Sequence, residues 1–301
     1  MELSLLVECF SSLACVTTQT VTGLVIALLL FLVASGLTLV FGVLRITNFA
    51  HGTFYMAGGY VTYAVYTATG SFALAVAAAA AATLAGGALF ERTVIRVVKD
   101  SDPLMILLAC YGVILIVDDL VKLIWGPAAV SIGMPESMRL PPVQFGGGVI
   151  PVYYLVLMAI SAIVGLLSWY LINRTSFGRA VQAVSELPSM AAALGLNSRF
   201  YSLAVIALGC GLAGLAGALA SPMRAVVPGG GFSILIESFV VTVIGGMGSI
   251  VGALLAALVL GMTRSYGSIG FPMFTEGMTF LAMLVVLIIK PTGLFSITEK
   301  R

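Results

Sequence analysis

One histidine, two tryptophans, 14 basic and 12 acidic residues are all that this chain of 301 residues carries. The single histidine excludes a multi-histidine metal cage, and no His-Glu-x-x-His occurs. There is no Gly-x-x-x-x-Gly-Lys-Ser/Thr sequence and no polar segment long enough to hold a nucleotide-binding domain, so the chain cannot hydrolyse ATP alone. His51 has serines to choose from but no Gly-x-Ser-x-Gly motif, which argues against an intramembrane serine hydrolase. No Lys or Arg precedes Arg45; without the basic start of a secretory signal, the first span is expected to be a retained anchor. Basic residues are scattered rather than gathered, so the net charge of +2 does not point to nucleic acid. Cys9, Cys15, Cys110 and Cys210 form no Cys-x-x-Cys pair and read as small buried hydrophobes, with Cys9–Cys15 pairing outside the membrane as the alternative.

What is abundant is apolar surface. Sixty per cent of the residues are hydrophobic and 9% charged, against roughly 25% charged in an ordinary soluble domain. An apolar run of about 20 residues is needed for each crossing, which gives room for roughly eight helices. The expected fold is all-α: a polytopic membrane protein, a single transmembrane domain over 1–301, with about eight transmembrane helices and at least one broken helix. Spans are expected near 21–43, 49–68, 72–95, 104–125, 150–172, 201–220, 235–262 and 273–290.

Positive charge orients these spans. Arg92, Arg96 and Lys99 form one dense loop and Arg174, Arg179 and Arg199 another, two spans apart, so both are expected to be cytoplasmic, with Arg45 inside and the amino terminus outside. Eight crossings then leave Lys290, Lys300 and Arg301 outside, against the same rule. The 235–262 segment resolves this if Gly245-Gly246-Met247-Gly248 breaks it into two pieces; irregular backbone at membrane depth is tolerated where it is buried or lines a cavity. Close glycine packing is the alternative. In the same segment Gly245, Ser249, Ala253, Ala257 and Gly261 recur every four residues as a ridge that admits a neighbouring helix, and Gly211, Gly214 and Gly217 do so one span earlier. Such faces suggest a tightly packed body and a subunit interface.

The few polar residues near spans each carry two readings. Asp118 and Lys122 are four apart and can pair on one helical face, whereas Asp119, on another face, would lie near the mouth of a translocation path. Asn48 can cap the second span with His51 in its first turn, or both can gate the cytoplasmic mouth. Glu237 and Glu276 stand near expected span starts, where the positive end of the helix dipole favours a carboxylate.

Between two apolar runs lies 173–200, NRTSFGRAVQAVSELPSMAAALGLNSRF, with arginines at both ends. Pro188 can begin a short helix that Gly195 stops. Held between two spans, such a helix is a lever on which a soluble partner can push.

This segment, together with FGVLRITNFAHGTFYMAGGY from Phe41, the Gly245–Ala253 break and the ending Lys290-Pro291-Thr292-Gly293-Leu294-Phe295, resembles the permease subunits of high-affinity branched-chain amino acid importers, the shorter permease of the pair. The resemblance spans nearly the whole chain in order. It implies a multi-pass subunit of the bacterial inner membrane, embedded in lipid, that pairs with a second homologous permease, two ATP-binding cassette ATPases and a periplasmic substrate-binding protein. The chain itself would bind no cofactor; ATP and magnesium would sit on the partners. Gly178, Arg179, Ala191, Ala192 and Gly195 would form the coupling helix within 173–200. Asn48, His51, Asp119, Gly245 and Gly246 are the candidates for gate or path, and no metal ligands or catalytic residues are expected.

Two departures stand out: Gln182 replaces a frequent basic residue and Leu187 a frequent acidic one, and Asp118-Asp119-Leu120-Val121-Lys122 is more charged than the Gln-Asn type. Because the family also includes importers of urea, amides and aromatic acids, the implied solute is a branched-chain amino acid or a related small polar or amphipathic molecule. An ion-coupled secondary carrier is the rival from another class; it would need a buried acid in mid-span.

Overall fold

The computed structural model describes residues 2–44, 47–290 and 293–294. Arg45, Pro291, Thr292, Phe295, Lys300 and Arg301, which entered the reasoning above, lie outside the described residues. The described chain is a helical bundle with one small hairpin. In order, α1 (Glu2–Ser11), α2 (Leu13–Leu44), α3 (His51–Thr69) and α4 (Phe72–Phe90) are followed by a π turn (Glu91–Ile95), α5 (Arg96–Val98) and α6 (Pro103–Trp125). The hairpin of β1 (Val143–Phe145) and β2 (Gly148–Ile150) precedes α7 (Val152–Arg174), α8 (Ser176–Glu186), α9 (Pro188–Ala193), α10 (Ser198–Ala220), α11 (Gly231–Gly245), α12 (Ile250–Gly270) and α13 (Thr275–Ile289). Seven of these segments are long and apolar enough to cross a membrane, and α11 is a shorter apolar helix.

Local chemistry explains the boundaries. Gly70 ends α3 at φ +68°, its N–H donating to Tyr66 O, and Ser71 Oγ then caps α4. Asp102 caps α6 with Pro103 in its first turn, and Asn197 caps α10. Within the apolar helices, threonines such as Thr62 and Thr83 donate to carbonyls one turn back, at 2.8 and 2.7 Å, which satisfies these buried hydroxyls away from water. At the hairpin, Gly146 and Gly147 take positive φ, 60° and 82°, as a two-residue turn requires; the hairpin then packs on Thr17 and Thr18 at the start of α2.

The core is built on α2, α10 and α12, which approach at backbone distance wherever glycine permits. A Cβ on Gly261 would meet Gly23 O at 2.4 Å, and one on Gly217 would meet Tyr55 O at 1.9 Å. These small faces are used within the chain, packing α12 on α2 and α10 on α3 and α4. The four-residue ridge is also divided: Ala253, Ala257 and Gly261 lie buried along α12, whereas Gly245 closes α11 and packs back on Gly252 and Ala253.

The break therefore makes two helices. α11 runs alongside α2 in the same sense, with Thr38 Oγ1 donating to Thr242 Oγ1 at 3.3 Å, and α12 returns with Gly261 at Gly23 and Tyr266 Oη on Thr20 Oγ1. The turn between them, 246–249, rests on Gly42 at the end of α2. α13 comes back to the same side, where Leu294 N–H donates to Ile244 O at 2.8 Å. Lys290 thus joins the face that carries Arg96, Arg179 and Arg199, the cytoplasmic one by charge bias. On the opposite side Cys9 and Cys15 form a disulfide, which corrects their reading as unpaired hydrophobes. Six positions apart in sequence, the two cysteines are brought together by the one short turn that joins α1 to α2; an oxidising compartment outside the membrane sustains such a bond.

Candidate functional site

The segment 173–200 is two helices rather than a loop around one. Thr175 Oγ1 accepts the N–H of Gly178 at 3.3 Å and starts α8, whose inner face buries Gly178, Val181 and Val184. Gly178 is obligatory there, because a Cβ would lie 1.9 Å from Ile172 O. Pro188 opens α9, and Gly195 at φ +82° ends it. Of the five expected coupling residues, Gly178 and Ala191 point into the protein, and Arg179, Ala192 and Gly195 are exposed. Leu187, Met190 and Leu194 are exposed beside them, at 55%, 59% and 78%. A cluster of large apolar side chains on the water-facing side of a membrane protein suits a partner surface.

This segment packs on the membrane body through Val181, beside Leu39 and Val40 of α2, and through Phe177 against Tyr201 of α10, and it is hydrogen-bonded to the end of α2. Ser185 Oγ donates to Gly42 O at 3.1 Å, and Gly42 in turn abuts Gly248, whose φ is +93°. Three elements meet there: α8, the end of α2 and the α11–α12 turn. Ser249 Oγ caps α12 by accepting from Gly252 N–H at 3.0 Å, and Gly246 sits at φ +94°. A second buttress holds the neighbouring corner: Glu91, buried in the π turn, pairs with Arg96 at 2.7 Å and accepts from Ser202 Oγ at 3.3 Å.

Asn48 and His51 are not at a mouth but deep in the bundle. Asn48 Oδ1 accepts from Ala50 N–H at 3.0 Å, closing the turn before α3 and not capping the helix itself, as the sequence had suggested. His51 is fully buried, with Nε2 2.9 Å from Val33 O and Nδ1 without a partner among the described residues. Val33 lies about three helical turns from the end of α2, so the chain folds back into the core before α3 begins. Gly52 makes this possible by touching Gly231 O and Leu235 N, where a Cβ would have no room.

The fourth span pairs differently from expectation. Lys122 Nζ bonds Asp119 Oδ1 at 2.9 Å on the exposed face of α6. Asp118 is turned inward beside Gly229 and is thereby out of reach of Lys122 as a partner. Separations of three and four residues both bring side chains together on a helix; here the inward turn of Asp118 selects the pair of three.

Glu237 is no helix-end carboxylate. It lies in the second turn of α11 and pairs with Arg264 of α12 at 2.6 Å, with both side chains largely buried. A charge at the centre of a spanning helix costs about 2.5 to 3.5 kcal/mol, so this pair demands a partner on each side and has one. Arg264 was not legible as a site because it follows the apolar run 250–262, where a lone arginine reads as a span end. Among the described residues, no cluster of His, Cys, Asp and Glu could hold a metal ion.

Residues 19–289 match the family model described as branched-chain amino acid transport system / permease component. The chain is similar to the high-affinity branched-chain amino acid transport system permease protein BraD of Pseudomonas aeruginosa, 29% identical with 93% of this chain and 96% of BraD covered. It is similar to LivH of Escherichia coli K12, 28% identical over 89% of this chain and 91% of LivH. A shorter match, 31% identical over 49% of this chain and 35% of the other, is with LivM of the same organism. Joined to the multi-pass bundle, these matches identify the chain as a member of the branched-chain amino acid permease family, a LivH/BraD-like transport subunit of the ATP-binding cassette type without a catalytic domain of its own.

Proposed function

We propose that this chain forms half of the membrane pathway of an ATP-driven importer, moving a branched-chain amino acid or a related small solute into the cytoplasm by alternating access. Its partners on this reading are a second homologous permease, two ATP-binding cassette ATPases carrying ATP and magnesium, and a periplasmic substrate-binding protein, in a bacterial inner membrane. The observation that carries it is the contact chain from α8 through Ser185 and Gly42 to Gly248. A push on the exposed face around Arg179 and Leu194 has a direct mechanical route to the turn between α11 and α12. Drawing the ATPases together would displace that turn and part or close the two helices. His51, against Val33 of α2, and Asn48, against Cys210 of α10, would set how α3 follows.

The ion-coupled carrier is favoured by one observation, the acid Glu237 inside the membrane, but that acid is already engaged by Arg264 at 2.6 Å, and the carrier reading leaves the lever unexplained. The deciding experiment is to express the chain with its neighbouring reading frames, purify the assembly and reconstitute it in liposomes. Co-purifying ATPases, with uptake that requires ATP and the liganded binding protein, support the importer. A chain that purifies alone and transports along an ion gradient without ATP overturns it.

A further inference from the structure

The Glu237–Arg264 pair lies at the level of Ile26, Leu30 and Val33, the middle third of α2. It stands between two small cavities. One, about 50 Å³, extends toward Tyr55 and Arg224; the other, about 120 Å³, is walled by Ser233, Glu276, Thr279 and Phe280. Both are below the roughly 300 Å³ of ordinary ligand sites, as a closed passage would be. In the second cavity Thr279 Oγ1 is buried without a hydrogen-bond partner among the described residues, and buried polar atoms left unpaired in a native protein call for a reason.

We propose that this pair is the point in the membrane where a zwitterionic solute is held during passage, its ammonium on Glu237, its carboxylate on Arg264, and Thr279 Oγ1 bonding the carboxylate. The inference rests on the importer reading above. Opening a buried ion pair leaves two bare charges unless something replaces each. The main chain of an amino acid carries the two required charges side by side, whereas a simple anion would leave Glu237 unpaired and a sugar would leave both charges unmatched. The helices that carry the pair are joined by the glycine turn at 246–249, on which the lever acts, so their parting and the exchange of partners are one movement.

The test uses the reconstituted complex, its binding protein and radiolabelled leucine, with ATP hydrolysis and complex yield measured in parallel. Two variants keep the charge balance: the neutral E237Q/R264Q and the swapped E237R/R264E. Both are expected to assemble and to keep stimulated ATP hydrolysis, with leucine uptake reduced at least about tenfold. A third, Thr279→Val, removes only an unpaired hydroxyl and is expected to raise the KM for leucine about fivefold with little change in kcat. Uptake unchanged in Thr279→Val, or restored by the charge swap, overturns the proposal and leaves the importer standing. A wild-type complex that hydrolyses ATP but imports no amino acid zwitterion overturns the substrate reading and this inference together.

Discussion

Helix α10 and the segment Pro272–Ile289, which contains α13, are both long and apolar enough to cross a membrane, yet 72% of the apolar stretch of the first is buried and 6% of that of the second. Apolarity puts both in the membrane; side-chain size decides which goes to the middle. α10 presents Gly209, Gly211, Gly214 and Gly217 to α2, α3 and α4, and small residues are what permit packing where lipid already satisfies the hydrophobic effect. α13 carries Leu281, Leu284, Val285, Ile288 and Ile289, all exposed. The difference teaches that the run of glycines along α10 marks contact, whereas Gly277 on α13 and Gly112 on α6 meet nothing, so it is the repeated small face and not a lone glycine that draws a helix inward.

The largest test of that contrast is Gly217→Ala. Its Cβ would fall 1.9 Å from Tyr55 O, and overpacking of backbone costs about 1–3 kcal/mol or more. We expect the folded protein to fall below detection by size-exclusion profile in detergent. Next is Arg179→Glu on the exposed face of α8: the fold is kept, with unchanged monodispersity, and ATPase recovery in pull-down drops about tenfold. Weakening one tie between lever and bundle, Ser185→Ala deletes the hydrogen bond to Gly42 O, about 1 kcal/mol, and leaves the packing of Val181 and Phe177 in place. It is expected to lower the ratio of solute moved per ATP while ATPase association survives. The smallest effect belongs to Leu284→Ala on the lipid side of α13, where the thermal midpoint is expected to change by about 1 °C or less.

Much of this was legible in the sequence because periodicity and punctuation agree in it. Pro188 and Gly195 bracket α9 as helix-end chemistry requires, and the glycines at 245–248 break the long apolar segment where charge bias demanded an extra turn. What escaped was three-dimensional. Nothing local says that the residues after Arg45 fold back, so that His51 meets Val33 in the core and not solvent at a mouth. Spacing allowed Lys122 to choose Asp118 or Asp119; only the inward turn of Asp118 decides. Arg264 and Glu237 are 27 positions apart and become a pair solely because α11 and α12 turn back on each other. Cys9 and Cys15 likewise needed the α1–α2 turn before their proximity meant a bond.

Cross-linking at the lever tests the central claim most directly. With Leu194→Cys on α9 and Leu284→Cys on α13 as two separate variants, in membranes that also contain the neighbouring ATPase, a short bifunctional thiol reagent is applied from the cytoplasmic side. The account predicts an adduct with the ATPase at position 194 that weakens as nucleotide is varied, and none at 284. An unadducted position 194 that is labelled by an impermeant maleimide from outside the cell would contradict it.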